Sequence, residues 1–150
     1  MSAIANIVAF DGAATPVSHT FVPIQVVQKD GAVEATYREQ LTTVPIEACP
    51  RVTVRKTPMK NGITRIETKV EVPVMEAVAG NNAAGYTAAP KVAYVDSDSI
   101  VTYAHERSTI VSRRLARQLL INIAGSISTS VAPVTSGAVP EAIDLLIMPT

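Results

Sequence analysis

The order of hydrophobic periodicities along this chain predicts an α+β fold. Two observations carry that reading. The first hundred residues are dominated by Val, Ile and Thr in short runs punctuated by Gly and Pro, which is strand composition. From residue 108 apolar residues recur at four-residue spacing instead, which is helix periodicity. A run of strands followed by a run of helices argues α+β. The 150 residues are 47% hydrophobic and 17% charged, roughly one domain's worth of chain with enough apolar surface for a core and too little charge for a solvated, unfolded one. Residues 1–150 therefore read as a single domain, with an N-terminal hairpin at 1–27, a sheet at 32–104 and helices at 108–147.

Residues 4–10 form the first expected strand, and Asp11-Gly12 supplies turn chemistry after it. Residues 17–27 follow as a second strand, with Pro23 marking an edge or a bulge. Asp30-Gly31 is the next turn. Residues 32–42 alternate Val33, Ala35 and Tyr37 against Glu34, Thr36 and Arg38. Residues 51–57 and 63–74 flank the turn at 58–62. In the longer arm Ile66, Val70, Val72 and Val74 share a face with Thr64 and Thr68, while Arg65, Glu67, Lys69 and Glu71 take the other. In the shorter arm Val52 and Val54 oppose Arg51, Thr53 and Arg55. One apolar and one polar face fit an antiparallel sheet covered on one side only.

Residues 77–90 are small and turn-rich, a loop longer than a hairpin needs. Residues 91–104 form the last strand, whose parity is ambiguous through Val95-Asp96-Ser97-Asp98-Ser99. Val111, Leu115, Leu119 and Ile123 then mark an amphipathic helix, with Ser108 as its expected N-cap, Gly125 as its stop, and Arg113, Arg114 and Arg117 off the apolar stripe. Residues 126–138 read as loop. Residues 139–147 read as a short second helix opened by Pro140. One helix of about five turns and one of two can hardly cover six strands, so a second copy of the chain is the economical cover.

Thirteen basic residues balance thirteen acidic ones, which gives no reason to expect indiscriminate nucleic-acid binding. The distribution is uneven. Residues 51–69 hold six basic side chains against Glu67 alone, and residues 105–124 hold four against Glu106. Arg and Lys on an open sheet face can meet phosphates, Thr53 adds a hydroxyl for bases or sugar, and Tyr94 can stack on an unpaired base if it shares that face.

Catalytic and cofactor chemistry is weakly represented. His19 and His105 have no carboxylate or cysteine at metal-ligand spacing. There is no phosphate-binding Gly-rich loop followed by Lys-Ser/Thr and no Gly-x-Ser-x-Gly elbow. Cys49, the single cysteine, cannot form an internal disulfide, and it reads as an inert thiol in a reducing compartment. No metal and no cofactor are expected. No run approaches 18 apolar residues and the start lacks a basic, then apolar, leader, so neither a membrane partner nor a signal peptide is expected.

Four stretches together resemble the coat proteins of single-stranded RNA bacteriophages. They are Ile7-Val8-Ala9-Phe10-Asp11-Gly12 running on to Val17-Ser18-His19-Thr20-Phe21, then Lys69-Val70-Glu71-Val72-Pro73, then His105-Glu106-Arg107-Ser108-Thr109, and finally Val139-Pro140-Glu141-Ala142-Ile143-Asp144. The resemblance implies an N-terminal β-hairpin, a five-stranded antiparallel sheet and two C-terminal α-helices. It also implies an interlocked homodimer in which the helices of one subunit lie across the sheet of its partner. Such dimers build an icosahedral capsid in the cytoplasm of a bacterial host, and the chain's place is then the virion. The inner sheet face binds single-stranded genomic RNA and, in some members, an RNA hairpin as translational repressor. Carried over by position, the RNA-facing residues are Arg51, Thr53, Arg55, Arg65, Glu67 and Lys69. Glu67 departs from a purely basic surface and is expected to pair with a neighbouring arginine. The 77–90 loop matches the segment that gathers around symmetry axes.

Two other classes remain open on the sequence. A non-viral dimeric nucleic-acid-binding module would stay a discrete dimer. A small enzyme would need a catalytic group in an apolar pocket, for which Asp96 and His19 are the candidates.

Overall fold

The computed structural model describes residues 4–77, 85, 89–128 and 131–149. Most of the expected loop at 77–90 lies outside the described residues. The remainder forms one six-stranded antiparallel sheet in sequential order: β1 (Ile7–Phe10), β2 (Ser18–Lys29), β3 (Ala32–Glu39), β4 (Arg51–Pro58), β5 (Ile63–Met75) and β6 (Val92–His105). Two helices follow, α1 (Ile110–Ala124) and α2 (Ala138–Asp144). The N-terminal hairpin is continuous with the sheet, because β2 pairs with β3 along its length. That pairing slips by one residue between Pro23 and Gln25, as a proline lacking an N–H in mid-strand requires.

The turns follow local chemistry. Asp30 and Gly31 both adopt positive φ, 52° and 77°, between the paired residues Lys29 and Ala32. That is the two-residue hairpin turn whose twist matches the strands. At the β4–β5 turn Gly62 has φ 70°, and a Cβ there would meet the Glu106 carboxyl at 2.9 Å. The α1 N-cap is Thr109, not Ser108. Thr109 Oγ1 accepts from the Ser112 N–H at 3.1 Å, whereas the Ser108 hydroxyl is spent on the His105 carbonyl at 2.7 Å. Gly125 ends α1 as expected, its N–H returning to Ile121.

The core lies on one side of the sheet. Ala35, Tyr37, Val52, Val54 and Ile66 are buried there beneath Ala142 and Ile143 of α2 and Met148 of the C-terminal tail. The cover that the sequence leaves to a second copy is thus supplied in part by the chain itself, over β3, β4 and the first half of β5. Lys56, in register between Val33 and Ile66, helps hold the tail by donating to the Leu146 carbonyl.

α2 is tied to α1 through Asp144, whose side chain is 0% exposed. Arg117, itself 7% exposed, donates Nε and Nη2 to that carboxylate at 3.1 and 2.9 Å, and Arg114 Nε donates at 2.9 Å. Arg113 donates Nε and Nη2 to the Asp144 carbonyl at 3.0 and 2.7 Å, satisfying the last turn of α2. Arg117 Nη2 also donates to the Val134 carbonyl at 2.7 Å, which anchors the segment before α2. Three of the four arginines in the second basic cluster of the sequence, Arg113, Arg114 and Arg117, therefore serve the fold. Burial alone would raise the Asp144 pKa, but hydrogen bonds from Arg117 and then Arg114 outweigh it and hold the carboxyl below its ordinary 3.8.

The apolar stripe of α1 faces outward. Val111 and Ile123 are each 74% exposed, and Leu115 and Leu119 are exposed between them. On the same side of the sheet Val70, Val72, Tyr94 and Ile100 are also exposed. A cleft of about 490 Å³, lined in part by Thr68, Ile100, Leu120, Ile121, Val139 and Ile143, separates α1 from the sheet. Among the described residues no helix is long and apolar enough to cross a membrane.

Candidate nucleic-acid interface

The polar face of the sheet is set by strand parity, and the register shows which side chains it collects. Across β3, β4, β5 and β6 one row runs Thr36, Thr53, Lys69, Ser99. The row on one side is Glu34, Arg55, Glu67, Val101, and on the other Arg38, Arg51, Glu71, Ser97. A further row runs Thr57, Arg65, Tyr103. Six of the seven residues singled out from sequence, Arg51, Thr53, Arg55, Arg65, Glu67 and Lys69, therefore share the face opposite the one that α2 covers.

Tyr94 does not join them. It is opposite Val74, in step with Val72 opposite Asp96 and Val70 opposite Asp98, so it belongs to the apolar side. The physical reason is the unbroken β5–β6 register from Ile63 to Val74, which assigns parity where the local alternation of β6 is uninformative. The same register brings in a tyrosine that strand pattern alone could not assign. Tyr103 lies opposite Arg65 on the polar face and is 63% exposed.

The charges on this face are interleaved. Arg65 pairs with Glu67 at 2.9 Å, as expected from sequence, Lys69 pairs with Glu71 at 2.7 Å, and Arg55 stands 4.0 Å from Glu34. Thr53, Arg55, Glu67 and Lys69 line part of a shallow depression of about 260 Å³. Exposed pairs of this kind are worth about 0–1 kcal/mol each and are screened by salt, so a polyanion can displace their carboxylates. Chemically the face offers guanidinium and ammonium groups for phosphates, hydroxyls for sugar or base edges, and the ring of Tyr103.

The two enzyme candidates are spread apart. Asp96 sits on the apolar side of β6. His19 bridges the N-terminal hairpin to β3, with Nδ1 3.0 Å from Glu39 Oε1 and Nε2 3.7 Å from Asp11 Oδ2. The hydrogen bond with Glu39 is the main cause that raises the His19 pKa above 6.5. Asp11 itself accepts from the Val17 N–H at 2.8 Å and shapes the hairpin turn. Cys49 is buried, its Sγ nearest the Pro45 and Leu41 carbonyls.

A curled antiparallel sheet with one open polar face, two C-terminal helices and a large apolar surface left uncovered defines a class of protein built to associate. The chain belongs to the levivirus coat proteins: the family model of the levivirus coat protein matches residues 2–140. Among solved structures it is similar to the virus-like particle of bacteriophage EMS014, at 31% identity and a TM-score of 0.71 with 99% of each chain covered. It is likewise similar to the bacteriophage EMS014 coat protein, at 29% identity and TM-score 0.65 with 99% of each chain covered. The virus-like particle of Beihai levi-like virus 21 matches at 27% identity and TM-score 0.63, over 87% of this chain and 97% of that one. No curated protein matches the chain. Its role is accordingly structural, as a subunit of a phage capsid, and its place is the virion.

Proposed function

We propose that this chain forms a two-fold dimer, that the dimers close into an icosahedral shell, and that the polar face of the sheet holds single-stranded genomic RNA inside it. The observation that carries the RNA reading is the segregation of faces: Arg51, Thr53, Arg55, Arg65 and Lys69 lie together on the side away from α2 and the core. The dimer reading rests on the opposite side. The α1 stripe and the uncovered apolar rows of β5 and β6 are too extensive to face water, and a second copy offers the same two surfaces in return. The hydroxyls of Thr36, Thr53 and Ser99 beside Lys69 extend the proposal to an RNA hairpin whose binding represses translation, because they present donors and acceptors to unpaired bases.

Expression of the full chain in bacteria, followed by electron microscopy and extraction of nucleic acid, tests this. Closed particles containing RNA are expected. With about five phosphates engaged per chain, affinity should fall roughly a hundredfold between 50 and 200 mM salt. Arg55→Ala with Lys69→Ala should lower RNA content without loss of dimers, and unchanged uptake would remove this face from the reading. Discrete dimers that never assemble further would favour a non-viral binding module.

A further inference from the structure

At one end of the polar face two arginines stand directly across from each other, Arg38 on β3 and Arg51 on β4. Like charges directly opposed on a sheet destabilise it. Among the described residues neither guanidinium has a carboxylate within ion-pair distance; the pairs on this face belong to Arg55, Arg65 and Lys69. The one acid in their row, Glu71, is held by Lys69 at 2.7 Å. On the other flank of Arg38 the register supplies only Val22. The Arg38 Nε is sealed from solvent and meets no acceptor among the described residues. Two opposed guanidiniums without a carboxylate partner are an arrangement that an added anion, meeting their terminal N–H groups, would relieve.

We infer that Arg38 and Arg51 form a fork that grips one phosphate, its oxygens accepting N–H groups from both side chains. A guanidinium presents five donors in a planar array that matches phosphate oxygens two at a time, and two of them facing each other enclose a single tetrahedral anion. The occupant is an RNA phosphodiester, since the neighbouring row of Thr36, Thr53, Lys69 and Ser99 continues the polar surface away from the fork. The assignment rests on the RNA-binding reading of this face and adds to it a residue, Arg38, from outside the basic segment, with a fixed stoichiometry of one phosphate per two arginines.

The test uses the full chain freed of RNA and a fluorescent single-stranded oligoribonucleotide, titrated at several salt concentrations. The double variant Arg38→Gln with Arg51→Gln is expected to flatten the slope of log affinity against log salt by about 0.7, one phosphate's share, rather than the roughly 1.4 of two independent contacts. The loss should be equal for A-rich and U-rich strands. R51K, which keeps the charge but not the fork, should weaken binding with the slope unchanged. Without RNA the double variant should melt at or above the wild-type temperature, because the repulsion is gone, and inorganic phosphate should stabilise only the wild type. Lys69→Gln and Arg55→Gln report on the rest of the face. If they flatten the slope and the double variant does not, the fork is wrong and the face stands; if no variant changes it, both fall. Normal RNA binding with fewer particles would give the arginines to a carboxylate of a neighbouring subunit, and a lower melting temperature without RNA would make them structural. Either result overturns the fork.

Discussion

Replacing Asp144 by Asn should be among the most damaging single changes on the surface between the two helices. The wild-type carboxylate is fully buried and accepts three hydrogen bonds, two from Arg117 and one from Arg114. Arg114 is about one-third exposed, so water and salt discount its share to less than about 1 kcal/mol. Arg117 is 7% exposed, and removing its partner strands a guanidinium away from water. Breaking a buried pair in this way costs about 3–5 kcal/mol, against a total stability of about 5–15 kcal/mol for a typical domain. For a chain of this length that corresponds to a fall of roughly 6–20 °C in melting temperature. Calorimetry at pH 7, at a fixed protein concentration because association contributes to stability, reads it directly. The sign in acid follows from the depressed native pKa. The clamp contributes fully above the unfolded value of 3.8, and its contribution is lost as pH falls through the lower native value, so wild type and D144N should converge there. A D144N protein that melts within about 1 kcal/mol of wild type at pH 7 would refute the clamp.

Tyr103→Ala should weaken single-stranded RNA binding by about 1–3 kcal/mol, one stacked base, while Tyr94→Ala should leave it unchanged; fluorescence anisotropy distinguishes them, and the reverse pattern would contradict the β5–β6 register. Leu115→Glu should lower dimer content in sedimentation velocity without melting the subunit, because the side chain is already exposed; an unaffected dimer would move the interface away from α1. His19→Gln should destabilise more at pH 6 than at pH 9. Its raised pKa means that the stabilisation is present below 6.5 and is lost as pH rises through the higher native value, and a pH-independent difference would show that the Glu39 contact carries no charge.

The open face was legible because β4 and β5 alternate cleanly. With a period of two, Val52 and Val54 against Arg51, Thr53 and Arg55 state their own sides once one face is buried. β6 has no such alternation, since Tyr94, Asp96, Asp98 and Ile100 take one side and Val95, Ser97, Ser99, Val101 and Tyr103 the other, so each side mixes polar and apolar residues, and Tyr94 and Tyr103 are told apart only when hydrogen-bonded register to β5 is known. The basic cluster on α1 was legible as charge and not as purpose. Arg113 and Arg117 meet Asp144 across 31 and 27 residues, and no local spacing encodes that meeting. Arg38 had no signal either, for it stands alone in an acidic stretch and acquires its neighbour Arg51 only by pairing.

Local chemistry by itself determined the order of strands and helices, the turn at Asp30-Gly31, the two faces of the central hairpin and the apolar stripe of α1, because each depends on residues within one or two turns of chain. The tertiary structure decided which apolar surface the chain covers with its own α2 and tail and which it leaves bare, and which arginines bind a buried carboxylate rather than face the open sheet. Those outcomes depend on pairing between segments tens of residues apart, where the free energy of burial is shared among partners that no short stretch contains.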